Sequence, residues 1–99
     1  LRTLRLDAAD GQALAAALAP ADVCLSALPY RFALDVTRAA LDARTHLLDL
    51  GGNTELALQQ AALQAAHKNG AELSVLPDCG LMPGLGNLLV AHALGELGD

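Results

Sequence analysis

The sequence predicts an α/β domain built on a doubly wound parallel sheet, in the order β-α-β-α-β-α-β-α. Two observations carry this. Short, nearly continuous apolar runs such as "DVCLSALP" and "AELSVLP" suit strands buried on both faces. Stretches with helical periodicity separate these runs, and nothing resembles a tight hairpin. Strands joined by helical crossovers pair in parallel, with right-handed connections.

Each element follows from local residues. "LRTLRL" (1–6) alternates weakly and is expected as a first strand. Asp10 is placed to cap a helix over residues 11–18, which Ala19-Pro20 ends. Residues 21–29, "ADVCLSALP", form the second expected strand, stopped by Pro29. In 30–43, Phe32, Val36, Ala39, Ala40 and Ala43 share one helical face, while Arg31, Asp35, Arg38 and Asp42 share the other. "THLLDLGGN" (45–53) runs from a strand into glycines. Asn53 then caps a helix from Thr54 to about Lys68, with Asn69-Gly70 as its C-terminal cap. "AELSVLP" (71–77) is the last strand. A helix starting at Pro83 and weakened by Gly84, Gly86 and Gly95 closes the chain.

Bulk properties bound the function. A chain of 99 residues makes one domain at most. With 54% hydrophobic and 17% charged residues it is not disordered. A net charge of −5, with no basic patch, argues against nucleic acid as a partner. No apolar run approaches the ~20 residues that span a bilayer, so no membrane association is expected, and the start lacks the pattern of a secretory signal. Cys24 and Cys79 are far apart and form no CxxC pair, which suits two reduced thiols in a cytoplasmic protein. His46, His67 and His92 have no metal-ligand spacing, so no metal is expected. The chain opens at Leu1 almost directly in a strand-like run, as a cut through a larger protein would.

Ligands of open parallel sheets bind beyond the carboxyl ends of the strands. Those ends are Asp7-Ala8, Ala27-Leu28-Pro29-Tyr30, Asp49-Leu50-Gly51-Gly52-Asn53 and Asp78-Cys79-Gly80-Leu81-Met82-Pro83-Gly84, and glycines and acids crowd them. The opposite ends are plain. The alternative is that these are turn residues needed for local reasons alone. Free amides at Gly51-Gly52, before the Asn53 helix start, are suited to an anion or a carbonyl. Asp49, beside them, is the candidate catalytic carboxylate: it is placed to orient a substrate amine or take part in proton transfer, the alternative being a turn-stabilising Asp. "GLGNLL" (84–89) imitates a GxGxxG phosphate turn but has Leu89 at the third glycine position, and it is rejected. Cys79 lies beside acids that disfavour a thiolate, so it is expected as pocket wall and not as nucleophile.

With these residues placed, "LRLDAAD", "ADVCLSALPYRF", "HLLDLGGNTE" and "LPDCGLMPGLGNLL" together resemble the saccharopine dehydrogenase family, which includes lysine 6-dehydrogenase and related NAD(P)-dependent enzymes. The "DLGGN" and "PDCGLxPG" pieces are the more specific ones, and Met82 stands where the family often has a small residue. The resemblance implies an incomplete Rossmann-like sheet: residues 1–99 would be the C-terminal portion of a dinucleotide-binding domain, without the first GxGxxG unit and the substrate domain. It implies that Asp7 and Ala8 lie near the adenine. Ala27, Leu28 and Pro29 would run towards the nicotinamide, and Asp49, Gly51, Cys79, Gly80 and Leu81 would border nicotinamide and substrate. The parent would move hydride between NAD or NADP and an amino-acid substrate carrying a C–N bond, the fragment alone being inactive. The alternative is a non-catalytic α/β nucleotide-binding or regulatory module that keeps the scaffold. In the strand order 3-2-1-4-5-6 the four strands are 3, 4, 5 and 6, which leaves residues 23–28 as an apolar edge and predicts self-association there.

Overall fold

The computed structural model describes residues 2–98. It holds a three-stranded parallel sheet in the order β1-β2-β3, formed by Val23–Ser26, His46–Asp49 and Val75–Leu76. Val23 to Ser26 pair with His46 to Asp49 one for one, and Leu47 and Leu48 pair with Val75 and Leu76. Four helices accompany it: α2 (Ala33–Asp42) and α3 (Thr54–Ala66) pack against the sheet, α1 (Gly11–Leu18) packs against α2, and α4 (Leu85–Leu97) has no buried residue. The parallel α/β architecture and the neighbour order of the last three strands are those expected from the sequence.

Capping residues set the helix starts. The Asp10 carboxylate accepts from the Ala13 amide, and the Asn53 side chain from the Leu56 amide. A 3-10 turn, Tyr30–Phe32, leads from Pro29 into α2. The core is the meeting of α2 with the sheet: Val36, Ala40, Leu41, Leu47 and Val75 are buried, and Leu14, Leu18, Phe32 and Leu63 pack around them. The amino edge of the sheet is tied by side chains. Arg44 bonds Asn69 and Glu72, Asn69 donates to the Leu41 carbonyl, and His67 meets Asp42.

Three expectations are corrected. Residues 2–6 form no strand and are exposed. A strand needs a neighbour to take its amides and carbonyls, and in the expected order that neighbour is not one of the three strands present. The last strand is two residues and not seven, because Gly70–Glu72 fold into a 3-10 turn and Pro77 has no amide to continue the ladder. Helix α3 stops at Ala66, two residues short of Lys68, with His67 already extended.

Candidate functional site

The chain leaves β1 and β2 at the same end of the sheet, and the loop after β3 joins them there. The three loops enclose a narrow cleft. Leu28, Pro29 and Tyr30, between β1 and α2, form one wall, and Leu50, Gly51, Asn53 and Asp78 form the other. Ser26, Asp49 and Gln60 lie between them.

Asp49 is the hub of this edge. It is the last residue of β2 and only 8% exposed. Its carbonyl accepts from the Cys79 amide at 2.8 Å, which carries the β2–β3 ladder past Pro77. Its Oδ1 accepts from the Gly51 amide at 2.7 Å, closing the turn after β2. Its Oδ2 accepts from Gln60 Nε2 at 2.7 Å, and the same nitrogen donates to Thr37 Oγ1 at 3.0 Å. Thr37 in turn donates to the Ala33 carbonyl at 2.7 Å. Gln60 and Thr37 are buried, and among the described residues no buried side-chain polar atom lacks a partner.

Two glycines let the loops approach. Gly51 has φ +78°, the left-handed region, and a Cβ there would run into the Asp78 carboxylate and approach Asp78 Cα to 2.8 Å. Gly80 lies against the Leu50 carbonyl, where a Cβ would collide with backbone. Asp78 is itself left-handed, at φ 62°, a conformation that Asp tolerates better than most residues. The loops after β2 and β3 are thus interlocked.

Of the candidate residues, Leu28, Pro29, Asp49 and Gly51 line the cleft. Cys79 and Gly80 line an adjoining hollow that shares Asp78 with it, and Leu81 is exposed in the turn beyond. Ala27 is exposed beside the cleft. Asp7 and Ala8 lie in the turn before α1, where Asp7 accepts from the Ala9 amide, outside the residues that line either space. Sequence reasoning missed Gln60 and Thr37. A signal existed: Leu56, Ala57, Gln60, Leu63 and Gln64 form the inward stripe of α3, and two of its five members are glutamine.

The cleft has a definite electrostatic character. Two carboxylates, Asp49 and Asp78, line it, and no lysine, arginine or histidine does. It suits groups that donate hydrogen bonds or carry positive charge, and it does not suit phosphate. The thiol of Cys24, half-buried in β1, is held above its ordinary value by burial, whereas Cys79 is exposed. Among the described residues no helix is long and apolar enough to cross a membrane.

A family model described as the saccharopine dehydrogenase NADP-binding domain matches residues 1–75. Among solved structures the chain is similar to apo histidine-tagged saccharopine dehydrogenase (L-Glu forming) from Saccharomyces cerevisiae, at 26% identity and a TM-score of 0.76. The match covers 94% of this chain and 20% of that one, so the chain spans about a fifth of that relative's length.

Proposed function

The chain belongs to the saccharopine dehydrogenase family through its NADP-binding domain, and from that premise we propose that residues 1–99 supply the C-terminal, nicotinamide-side portion of the cofactor domain of an NAD(P)-dependent oxidoreductase. Its substrate is an amino acid oxidised or formed at a C–N bond. The observation that carries the reading is the carboxyl-edge cleft, acidic and without a cationic side chain. A pyrophosphate calls for glycine-rich amides at a helix start or for cations. The cleft offers no cation, and its Gly51 amide, though near a helix start, is committed to Asp49 Oδ1, so we assign the phosphates elsewhere and the nicotinamide end and the substrate to the mouth of this narrow cleft.

The residues fit that end of the cofactor. Leu28, Pro29 and Tyr30 give a wall with apolar faces, while Gly51 and Gly80 permit close backbone approach. Cys79, Gly80 and Leu81 continue this border, Ala27 leads into it, and Asp7 and Ala8 are assigned to the adenine end. Bound NAD(P) supplies the hydride chemistry, and the protein supplies placement. Asp49 is the group we assign to the substrate's amine. Each of its oxygens has accepted one hydrogen bond and retains a lone pair for a second. An ammonium or iminium between Asp49 and Asp78 is stabilised by charge, and a carboxylate at that position can hold a proton.

For residues 1–99 alone, the outer edge of β1 is proposed as a self-association surface, since Leu25 is 65% exposed there and no strand covers it among the described residues. Light scattering tests this: a monomer at micromolar concentration refutes it. For the function, the full-length protein is titrated with NADPH and NADH by fluorescence and then assayed with a panel of amino acids and amino-acid-derived imines. Saturable binding with hydride transfer to or from a C–N bond is expected. Absence of binding to either cofactor overturns the reading, and binding without turnover of any C–N substrate leaves the non-catalytic module instead.

A further inference from the structure

We propose that Gln60, backed by Thr37, is the positioning residue of the cleft: it fixes the Asp49 carboxylate in the orientation that holds the Gly51 amide, and so sets the loop against which ligand rests. The ligand part of this statement rests on the cofactor reading above.

The orientation of the Gln60 amide follows from its partners. Thr37 has committed its hydroxyl proton to the Ala33 carbonyl, so towards Gln60 it can only accept. The Asp49 carboxylate also can only accept. Both demand N–H groups, and Nε2 has two. A reversed amide would set Oε1 against a carboxylate oxygen, so Thr37 and Asp49 together select one orientation.

The consequence passes outward along a chain of bonds. Helix α2 fixes Thr37, Thr37 and α3 fix Gln60, and Gln60 fixes Oδ2. With Oδ2 held, the planar carboxylate can present Oδ1 only in the direction of the Gly51 amide. Gly51 is left-handed and abuts Asp78, so its amide direction decides how the loops after β2 and β3 meet. A core glutamine that merely fills space does not need two acceptor partners on different elements, one of them in the cleft. Buried polar groups that orient a site residue belong to the site's function as much as the residue they hold.

The test uses the full-length protein with glycine amides labelled by 15N, and two readouts: the Gly51 amide resonance and the NADPH dissociation constant, each followed from pH 5 to 8. In Gln60→Glu two carboxyls share one contact. At low pH a shared proton lets the introduced carboxyl donate to Asp49, and as pH rises the pair repels. The other titratable groups lining the cleft, Asp78 and Tyr30, are common to the variant and the parent. The expected result is near-parental affinity at pH 5 and at least ~10-fold weaker binding at pH 8, with the Gly51 amide moving at the same midpoint. Should this variant fail to fold, Thr37→Val keeps the side-chain shape and removes the hydroxyl, which is both the acceptor for Gln60 and the donor to the Ala33 carbonyl. It should shift the Gly51 resonance and weaken NADPH binding by ~3- to 10-fold, and Thr37→Ser should restore both. An unmoved Gly51 resonance and unchanged affinity in a folded variant overturn the proposal. If the parental protein binds neither NADPH nor NADH, the cofactor reading fails, while the Gly51 resonance alone still decides whether Gln60 positions the turn.

Discussion

Replacing Gly51 by alanine adds one methyl group, and the structure gives the consequence a size. At φ +78° an alanine pays for a left-handed backbone, about 1–2 kcal/mol. The new Cβ would also stand 2.8 Å from Asp78 Cα, well inside ordinary carbon–carbon contact. The Asp78 side chain can rotate aside, but its backbone cannot, because the Cys79 amide is tied to the Asp49 carbonyl. The two loops must then separate by several tenths of an ångström, a strain of roughly 1–3 kcal/mol by analogy with overpacked cores. The sum is about 2–5 kcal/mol. For a chain of 99 residues the unfolding entropy is ~0.2 kcal/mol per kelvin, so Tm should fall by roughly 10–25 °C.

Gly95→Ala is the control. It makes the same chemical change within α4, where nothing lies within 4 Å of the added Cβ. Alanine is better than glycine in a helix interior by about 1 kcal/mol, so this variant should gain helicity and should not lose stability. Thermal unfolding and helicity by circular dichroism read both variants. A Gly51→Ala protein that melts within ~3 °C of the parent would refute the interlocked loops, and with them the description of the cleft.

Other outcomes follow from single interactions. Asp49→Asn replaces one acceptor oxygen by a donor that must face either Gly51 or Gln60, so kcat/KM in the full-length protein should drop at least ~10-fold, or ~1.4 kcal/mol; an unchanged value refutes the assignment. Asn53→Ala removes the acceptor for the Leu56 amide and should cost ~1 kcal/mol by urea denaturation; a loss below ~0.3 kcal/mol would show that the cap contributes nothing. Iodoacetamide at pH 8 should modify exposed Cys79 well before Cys24, whose thiol burial keeps protonated, and peptide mass spectrometry gives the order; equal rates would contradict it. Residues 1–99 alone should bind NADPH only weakly because they hold no GxGxxG turn, and a submicromolar Kd by titration calorimetry would overturn that.

What was legible in the sequence was what depends on local chemistry. Asp10 and Asn53 mark helix starts because a side-chain oxygen satisfies amides two or three residues on, and both are found so engaged. The "DLGG" turn was visible because a strand running into paired glycines has few conformations open to it. Pairing was harder. Residues 1–6 have a strand's pattern, but residues 2–6 pair with no strand among the described residues, and pattern alone does not say whether a neighbour exists. The seven-residue run 71–77 contains a turn that competes with the strand, and the turn won over its first half. Gln60 was invisible as a site residue because its role comes from Thr37 and Asp49, which only the packing of α2 and α3 around β2 brings to it.

The distribution of apolar surface bears on how the cleft is completed. A monomeric chain of 10.1 kDa exposes about 5,300 Å² and has a radius of gyration near 13 Å. This one exposes 6869 Å², with a radius of 15.1 Å. The surplus, about 1,600 Å², is twice what one partner contributes to an interface of standard size. Two places hold exposed large apolar side chains in quantity. Val23 and Leu25 stand on β1, and Leu88, Leu89, Val90, Leu94 and Leu97 on α4. Strand β1 carries one wall of the cleft on the loop that follows it, and the loop leading into α4 carries the adjoining hollow. Polypeptide packed against β1 and α4 would therefore press on both sides of the site while leaving Asp49, Gln60 and Thr37 untouched at its centre. The rigid part of the cleft is built by this chain's own buried hydrogen bonds, and its outer walls stand on the elements that carry the exposed apolar side chains.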